Sequence, residues 1–224
     1  MRVRKNVSNL TPGEKTAFVN AVLALKKQPS VLSPGQQGRY DDYVLLHMNA
    51  MMAGTPAIDQ AQPNFMPGWA HDGPAFFSWH RVLLLQFEND LQAASQDPGV
   101  TIPYWDWTDP ASWPFINDFL GGNGTGRHKQ VQTGPFAFKA PARWTLIVKD
   151  QQSDPDYLQR QFGADSTAQS LPTSSDAVMP SASRPTPFLP GKARRQAQAR
   201  AGVSRGNTAC TTWCIAMSGA RWAI

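Results

Sequence analysis

Apolar residues recur at helical spacing in the segment G-R-Y-D-D-Y-V-L-L-H-M-N-A-M-M. Tyr40, Val44, His47 and Met51 follow one another at i, i+4, i+7 and i+11, which places them on one face of a helix. The helix is predicted to run to about Met52. Because this face is otherwise apolar, we expect it to be buried and His47 to point into the core.

A second apolar helix is predicted within H-D-G-P-A-F-F-S-W-H-R-V-L-L-L-Q-F-E-N-D-L. His80, Leu84, Phe87 and Leu91 have the same i, i+4, i+7, i+11 spacing, so His80 also faces the core. His71 lies nine positions before His80, in a Gly/Pro turn that leads into the helix.

An earlier helix is predicted from its start signals. Thr11 suits the N-cap, Pro12 suits the first helical position, and Glu14 completes a capping box. The apolar face of this helix consists of Phe18, Ala21, Val22 and Leu25. Three amphipathic helices make the predicted fold class mainly α.

Loops separate these helices. Residues 29–37 form one loop, and residues 54–73, rich in Pro, Gly and Ala, form a long connection that delivers His71. Asp97–Gly99 is expected to end the helix of His80. Three further elements are predicted: a flexible glycine-rich loop at 121–126, a short strand at 144–148 and a short helix at 154–162.

Three histidines are predicted to lie close together in the fold. His47 and His80 lie on buried helix faces, and His71 lies in the rigid turn before one of those helices. Neutral imidazole suits copper, zinc, iron and nickel, so the three predict a metal site whose metal the spacing leaves open. His128 has basic neighbours and no apolar periodicity around it, so we expect it on the surface and not among the ligands.

Composition bounds the class of protein. The 224 residues suffice for one domain with a sizeable core, and no apolar run approaches the ~20 residues of a membrane span. No apolar stretch of signal-peptide type follows the basic first residues, so we expect a cytoplasmic chain, or one exported with a partner. No membrane partner is expected.

The basic character belongs to the end of the chain. From Ser181 onward there are seven Lys and Arg and no acid, and removing those seven from the formal charge of +5 leaves −2. The body is therefore slightly acidic, and nucleic acid is not an expected partner. We predict a domain over 1–178 and a basic, low-complexity, disordered tail over 179–224.

Several motifs together resemble the tyrosinases, a family of type-3 copper proteins. H-D-G-P-A-F-F-S-W-H-R followed by Leu83, Leu85, Phe87 and Glu88 is similar to the family's first copper motif. The segments P-Y-W-D-W at 103–107, T-G-P-F at 133–136 and L-P-T at 171–173 follow in the family's order. The resemblance is to bacterial members, because no cysteine precedes His71 to form the thioether link of other members.

This resemblance implies a four-helix bundle that holds two copper ions, each bound by three histidines. It implies oxidation of monophenols and ortho-diphenols to ortho-quinones with dioxygen, a phenolic small-molecule substrate, and a copper-loading helper protein. His47, His71 and His80 would be the ligands of the first copper. Asp106, among aromatic residues, could hydrogen-bond a ligand histidine or could cap a turn.

The second copper motif is missing from the chain as written. There are four histidines in all, and none lies beyond His128. We also considered a shifted reading frame from Asn207 onward, in which each codon consists of the last base of one codon and the first two bases of the next. In this frame, three positions can encode only His or Tyr, one must encode Val and one must encode Gly. The compatible reading H-G-M-H-N-L-V-H-R-N-V-G-G-S-M-G-D resembles the family's second copper motif, so we hypothesise that the tail is frameshifted.

A frameshifted tail has consequences for the chain. We expect at most one copper, little or no phenol oxidation by this chain alone, and apolar helix faces exposed by loss of half the bundle. Two alternatives stay open: an oxygen-binding or structural relative without catalysis, and a non-catalytic or hydrolytic mononuclear metal protein that uses copper or zinc.

Overall fold

The computed structural model describes residues 2–52, 76–139, 144–149 and 152–162. Its α-helices are α1 (Pro12–Lys27), α2 (Arg39–Met52) and α3 (Phe76–Ser95), with short 3-10 helices at Val7–Asn9 and Pro110–Ser112. The predicted mainly α class is confirmed for this part of the chain.

Two predicted segments lie outside the described residues: the connection 54–73, which carries His71, and the tail 179–224. Within the ranges that the structure does describe, β pairing is limited to isolated bridges. None of the helices in those ranges has both the length and the apolar character needed to cross a membrane.

Helix α1 begins with the capping box that the sequence predicts. Thr11 Oγ1 accepts a hydrogen bond from the Glu14 N–H at 3.2 Å, and the Glu14 carboxylate accepts one from the Thr11 N–H at 2.9 Å. The predicted apolar face is buried, at Phe18, Ala21, Val22 and Leu25. Helix α1 packs against both α3 and α2, so it is the element that the other two helices share.

Helix α3 ends where the sequence predicts. Its last helical residue is Ser95, and Gln96 takes the left-handed conformation with φ of 55°. The N–H of Asp97 donates to the carbonyl of Gln92 at 3.2 Å, which closes the helix end. On the face of α3 opposite the buried Phe87 and Leu91, the apolar side chains of Val82 and Leu85 are exposed.

The buried acid Glu88 joins α3 to two other segments. Its Oε2 accepts a hydrogen bond from Arg4 Nε and another from the N–H of Ile102, both at 2.9 Å. The N-terminal segment also pairs with the extended segment after α3, because the Val7 N–H donates to the carbonyl of Tyr104 at 2.9 Å. These contacts fix both segments against one side of α3.

The short helix predicted for residues 154–162 is wrong. This segment contains no helix, and its part around Gln159 pairs with the preceding loop: the Val131 N–H donates to the carbonyl of Leu158, and the Arg160 N–H donates to the carbonyl of Lys129, both at 2.9 Å. Leu158 and Arg160 are both buried, so alternate residues face inward as in a strand. Pairing with the preceding loop outweighs the weak helical preference of the segment.

The strand predicted for residues 144–148 is also wrong. The N–H of Trp144 donates to the carbonyl of Ala137 at 3.1 Å, whereas the N–H of Leu146 donates to the carbonyl of Asp156 at 2.8 Å. Because these two bonds go to different segments, no strand ladder forms here. The Trp144 side chain is buried and anchors the segment.

The glycine-rich loop at 121–126 was expected to be flexible, but its backbone is held by Arg160. One guanidinium nitrogen donates to the carbonyls of Leu120, Gly121 and Gly122, at 3.2, 2.7 and 2.8 Å. The Gly124 N–H donates to the carbonyl of Arg160 at 2.8 Å. A Cβ at Gly124 would lie 1.9 Å from the carbonyl oxygen of Lys129, so glycine is required by close packing.

Candidate metal centre

Helix α2 carries His47 on its buried face, as the helical spacing predicts. In the first turn, the carboxylate of Asp41 accepts a hydrogen bond from the Gly38 N–H at 3.0 Å, which caps an end where the helix dipole favours negative charge. The side chains of Tyr40, Tyr43 and Val44 are buried on the same face. His47 itself is 0% exposed.

Helix α3 carries His80 in its second turn, and its side chain is 5% exposed. Leu83, Phe87 and Leu91 are buried on the same face, so this helix also presents its histidine to the core. Both histidines predicted to face inward therefore do so.

The two imidazole rings meet between α2 and α3. The ring centroids of His47 and His80 are 5.6 Å apart, with an interplanar angle of 65°. The Nδ1 atom of His47 and the Nε2 atom of His80 are both shielded from solvent. Helices from distant parts of the sequence thus bring two imidazoles to one buried point.

The separation of the rings fits a shared metal ion. Imidazole nitrogens bind transition metals at about 2.0–2.1 Å, so two imidazoles on one ion have ring centroids roughly 4.5–6 Å apart. The 5.6 Å between His47 and His80 lies in this range. The donor set also fits, because copper and zinc both accept neutral imidazole.

Burial keeps His47 neutral. Removal from solvent lowers the pKa of His47 from 6.5 to about 3, with a smaller contribution from the neighbouring His80. The ring is therefore uncharged near neutral pH, and one of its nitrogens carries the lone pair that a metal requires. Binding a cation at this point requires no proton to leave His47.

The third predicted ligand, His71, lies outside the described residues, and its place at the site stays a prediction. Across residues 2–52, 76–139, 144–149 and 152–162, no three His, Cys, Asp or Glu side chains are grouped to hold a metal ion. The described part of the chain thus supplies a two-histidine portion of the proposed site.

Asp106 makes the turn-capping contacts that were one of its two predicted roles. Its Oδ1 accepts hydrogen bonds from the Thr108 N–H at 3.0 Å and from the Thr108 hydroxyl at 2.6 Å. Its own N–H donates to Ser112 Oγ at 3.1 Å. A role beside a ligand histidine stays a prediction.

His128 is exposed, as predicted for a residue outside the site. Trp79, to which the sequence pattern assigns no role, also lies at the point where the two imidazoles meet: its ring centroid is 4.8 Å from that of His80 and 5.8 Å from that of His47. The sequence feature that could have identified it is its position directly before His80. Successive helical residues are about 100° apart around the axis, which here turns the indole toward α2. The indole forms one wall of the space around the two imidazoles.

Comparisons with known proteins agree on a family. Residues 37–212 match the family model described as the common central domain of tyrosinase. This match extends beyond residue 178, into the segment predicted to be frameshifted. The chain is 40% identical over 167 residues to a tyrosinase of Streptomyces antibioticus, and 36% identical over 178 residues to the grixazone synthase of Streptomyces griseus.

The fold is also similar to a solved structure. A polyphenol oxidase from Thermothelomyces thermophila matches with a TM-score of 0.58 and 20% identity, over 96% of this chain and 65% of that one. The two Streptomyces matches each cover 73% of this chain and 53% of the relative. The chain therefore spans about half the length of the curated relatives it matches.

Proposed function

Because the chain belongs to the tyrosinase family, we propose that it derives from a copper oxidase of phenols. The proposed reaction converts monophenols and ortho-diphenols to ortho-quinones with dioxygen. The observation that supports it is the pair of buried imidazoles of His47 and His80, 5.6 Å apart on two helices. In this proposal they hold the first copper ion, with His71 as the third ligand.

The residues of the site have distinct roles in the proposal. Neutral imidazoles donate lone pairs to copper, which supplies one-electron chemistry, and dioxygen reduction by two electrons requires a pair of such ions. His47 and His80 fix the position of one ion from two rigid helices. Trp79 excludes water from one side of the pair and presents an aromatic wall to a phenolic ring.

We further propose that this chain carries only the first copper site and is inactive by itself. Of the four histidines, three are assigned to the first site, so only His128 remains, too few for a second set of three. A frameshift within the codons for residues 177–206 accounts for that loss and for the basic tail. Sequencing the coding DNA across these codons tests it, and an intact single frame would refute it.

The activity proposal is tested on the purified chain loaded with Cu(II). We expect about one copper per chain and no oxidation of L-DOPA above the rate of free copper, because a single ion cannot supply both electrons. Measurable turnover with one copper per chain would refute the proposed inactivity. Two tightly bound coppers would refute the single-site assignment.

A mononuclear metal protein without oxidase activity is the second candidate, because two described histidines also suit zinc or a lone copper. Metal analysis of the chain purified without added metal separates the candidates. Zinc at the His47 and His80 site, retained in the presence of copper, would favour this candidate.

A copper-loading helper protein remains part of the proposal. Copper must reach imidazoles that are 0% and 5% exposed at His47 and His80, so uptake requires opening of the structure. Slow uptake of free copper, accelerated by cell extract of the source organism, would support a helper. Complete uptake within the mixing time would count against it.

A further inference from the structure

Helices α2 and α3 both pack against α1, and side chains bridge them to one another. Aromatic side chains fill the space between them: the ring centroids of Tyr43 and Phe87 are 5.0 Å apart, and those of Tyr40 and Phe87 are 6.1 Å apart. The distance between α2 and α3 therefore depends on the side chains that bridge them.

Polar side chains bridge the two helices at the end away from the histidines. Asp90 of α3 accepts two hydrogen bonds on the same oxygen, from Arg39 Nε at 2.8 Å and from the Tyr43 hydroxyl at 2.6 Å. The guanidinium of Arg39 also lies 5.0 Å from the centre of the Tyr43 ring. We call Arg39, Tyr43 and Asp90 the interhelix clamp.

The α2 side of the clamp is anchored in the loop before the helix. Arg39 donates a second hydrogen bond to Asp42 Oδ2 at 2.9 Å. Asp42 is 0% exposed and also accepts hydrogen bonds from the Val31 N–H at 2.8 Å and from Gln37 Nε2 at 2.9 Å. Because its partners fix Asp42, the guanidinium of Arg39 has little freedom to follow a moving α3.

We propose that the interhelix clamp sets the separation of α2 and α3 and thereby positions His47 and His80 for a shared metal ion. The inference rests on the proposed function only for the metal; the helix separation can be measured without it. Tyr43 lies one helical turn before His47, so a shift of α2 at the clamp is transmitted to that imidazole through rigid helix. Arg39, Tyr43 and Asp90 would act on the two imidazoles through the helices, so we describe them as positioning residues.

We expect the chain to stay folded when the clamp is removed. The Asp90 side chain is 31% exposed, so water can solvate the groups left by Asp90→Asn or Tyr43→Phe. Arg4→Gln is the matched control, because it removes an ion pair of similar length, 2.9 Å, that α3 makes to the N-terminal segment through Glu88. The control therefore perturbs a contact of the same helix that does not involve α2.

The first measurement needs no metal. Spin labels at Asn49→Cys and Val82→Cys, both exposed, report the distance between α2 and α3 by pulsed electron spin resonance, with Cys210 and Cys214 replaced by serine. We expect a shifted or broadened distance distribution for Asp90→Asn and for Tyr43→Phe, and the parent distribution for Arg4→Gln. An unchanged distribution in both clamp variants would overturn the proposal.

The second measurement uses Cu(II) alone, bound by the full chain without the labels. Partners that orient ligands typically contribute 10–100-fold to metal affinity, so we expect about 10–100-fold weaker binding and an altered copper spin-resonance spectrum in both clamp variants. Parent-like affinity and spectrum in these variants would overturn the positioning role, as would an equal change in Arg4→Gln.

The two measurements also separate this inference from the proposed function. If His47→Gln leaves the Cu(II) affinity of the parent chain unchanged, the proposed copper site fails. The helix separation in the metal-free variants still decides whether the clamp sets the distance between α2 and α3.

Discussion

The carboxylate of Glu88 accepts a hydrogen bond from the backbone N–H of Ile102 at 2.9 Å, so a buried acid on α3 holds the segment that follows that helix. The same oxygen also accepts from Arg4 Nε. One charge therefore connects three parts of the chain that are distant in sequence.

Glu88→Gln should destabilise the metal-free protein. The substitution keeps the side-chain shape but removes the charge from two hydrogen bonds, which we expect to lower the free energy of unfolding by about 1.5–3 kcal/mol. Urea denaturation followed by circular dichroism measures it. Arg2→Gln is the control, because Arg2 is 3.7 Å from Glu88 and largely solvated, so its loss should be under about 1 kcal/mol. Equal urea midpoints for Glu88→Gln and the parent would contradict the expectation.

Stability should fall in acid partly through Asp42. Burial alone would raise the pKa of Asp42, but hydrogen bonds from Ser30, Gln37, the Val31 N–H and Arg39 outweigh it and lower the pKa below 3.8. A carboxyl whose pKa is lower in the folded state stabilises the fold above its unfolded pKa. That contribution is lost as the pH falls through 3.8 toward the folded value.

The measurement is urea unfolding between about pH 5 and about pH 3 for the parent and for Asp42→Asn. The parent should lose more stability over this range than the variant, whose amide does not titrate. Parallel losses in the two proteins would show that Asp42 contributes nothing to acid sensitivity.

Copper binding should depend on buried histidines and not on the exposed one. His47→Gln and His80→Gln each remove a proposed ligand, so Cu(II) affinity should fall by more than the roughly 10–100-fold typical of groups that only orient ligands. Titration calorimetry or competition with a chelator measures the affinity. His128→Gln should bind copper as the parent does, because His128 is exposed. Loss of affinity in His128→Gln alone would refute the site.

Two glycine-to-alanine substitutions should have opposite effects on stability. At Gly124 a Cβ would lie 1.9 Å from the carbonyl oxygen of Lys129, so Gly124→Ala must displace backbone and destabilise the fold. At Gly13, in the first turn of α1, the nearest atom to a Cβ is 4.0 Å away, so Gly13→Ala should stabilise by about 0.5–1 kcal/mol. Thermal unfolding compares them, and a higher melting temperature for Gly124→Ala would contradict the packing argument.

Local signals in the sequence were sufficient to predict the helices. Thr11 and Glu14 mark the start of α1 with side chains that hydrogen-bond the adjacent backbone, and the structure has these bonds. Pro12 adds its fixed φ angle at the first helical position. Helical spacing was equally sufficient for the burial of His47 and His80, because burial follows from the apolar neighbours on the same face.

Contacts between distant segments could not be predicted in this way. The segment 154–162 is not a helix because the backbones of Leu158 and Arg160 bond to the loop near Val131, about thirty residues earlier. Asp90 and Tyr43 bond across 47 positions, and neither residue carries a local mark of that pairing. Such partners are set by how the helices pack, which a single sequence pattern does not encode.

Trp79 gives this protein an internal optical reporter. Its indole lies 4.8 Å and 5.8 Å from the two imidazole centroids, a distance over which a paramagnetic ion quenches tryptophan emission. Binding of such an ion at the proposed site can therefore be followed as quenching of the Trp79 fluorescence. The Trp79 signal is obtained by subtracting the emission of the Trp79→Phe variant from that of the parent. The indole beside the two imidazoles thus reports binding of a metal ion without any added dye.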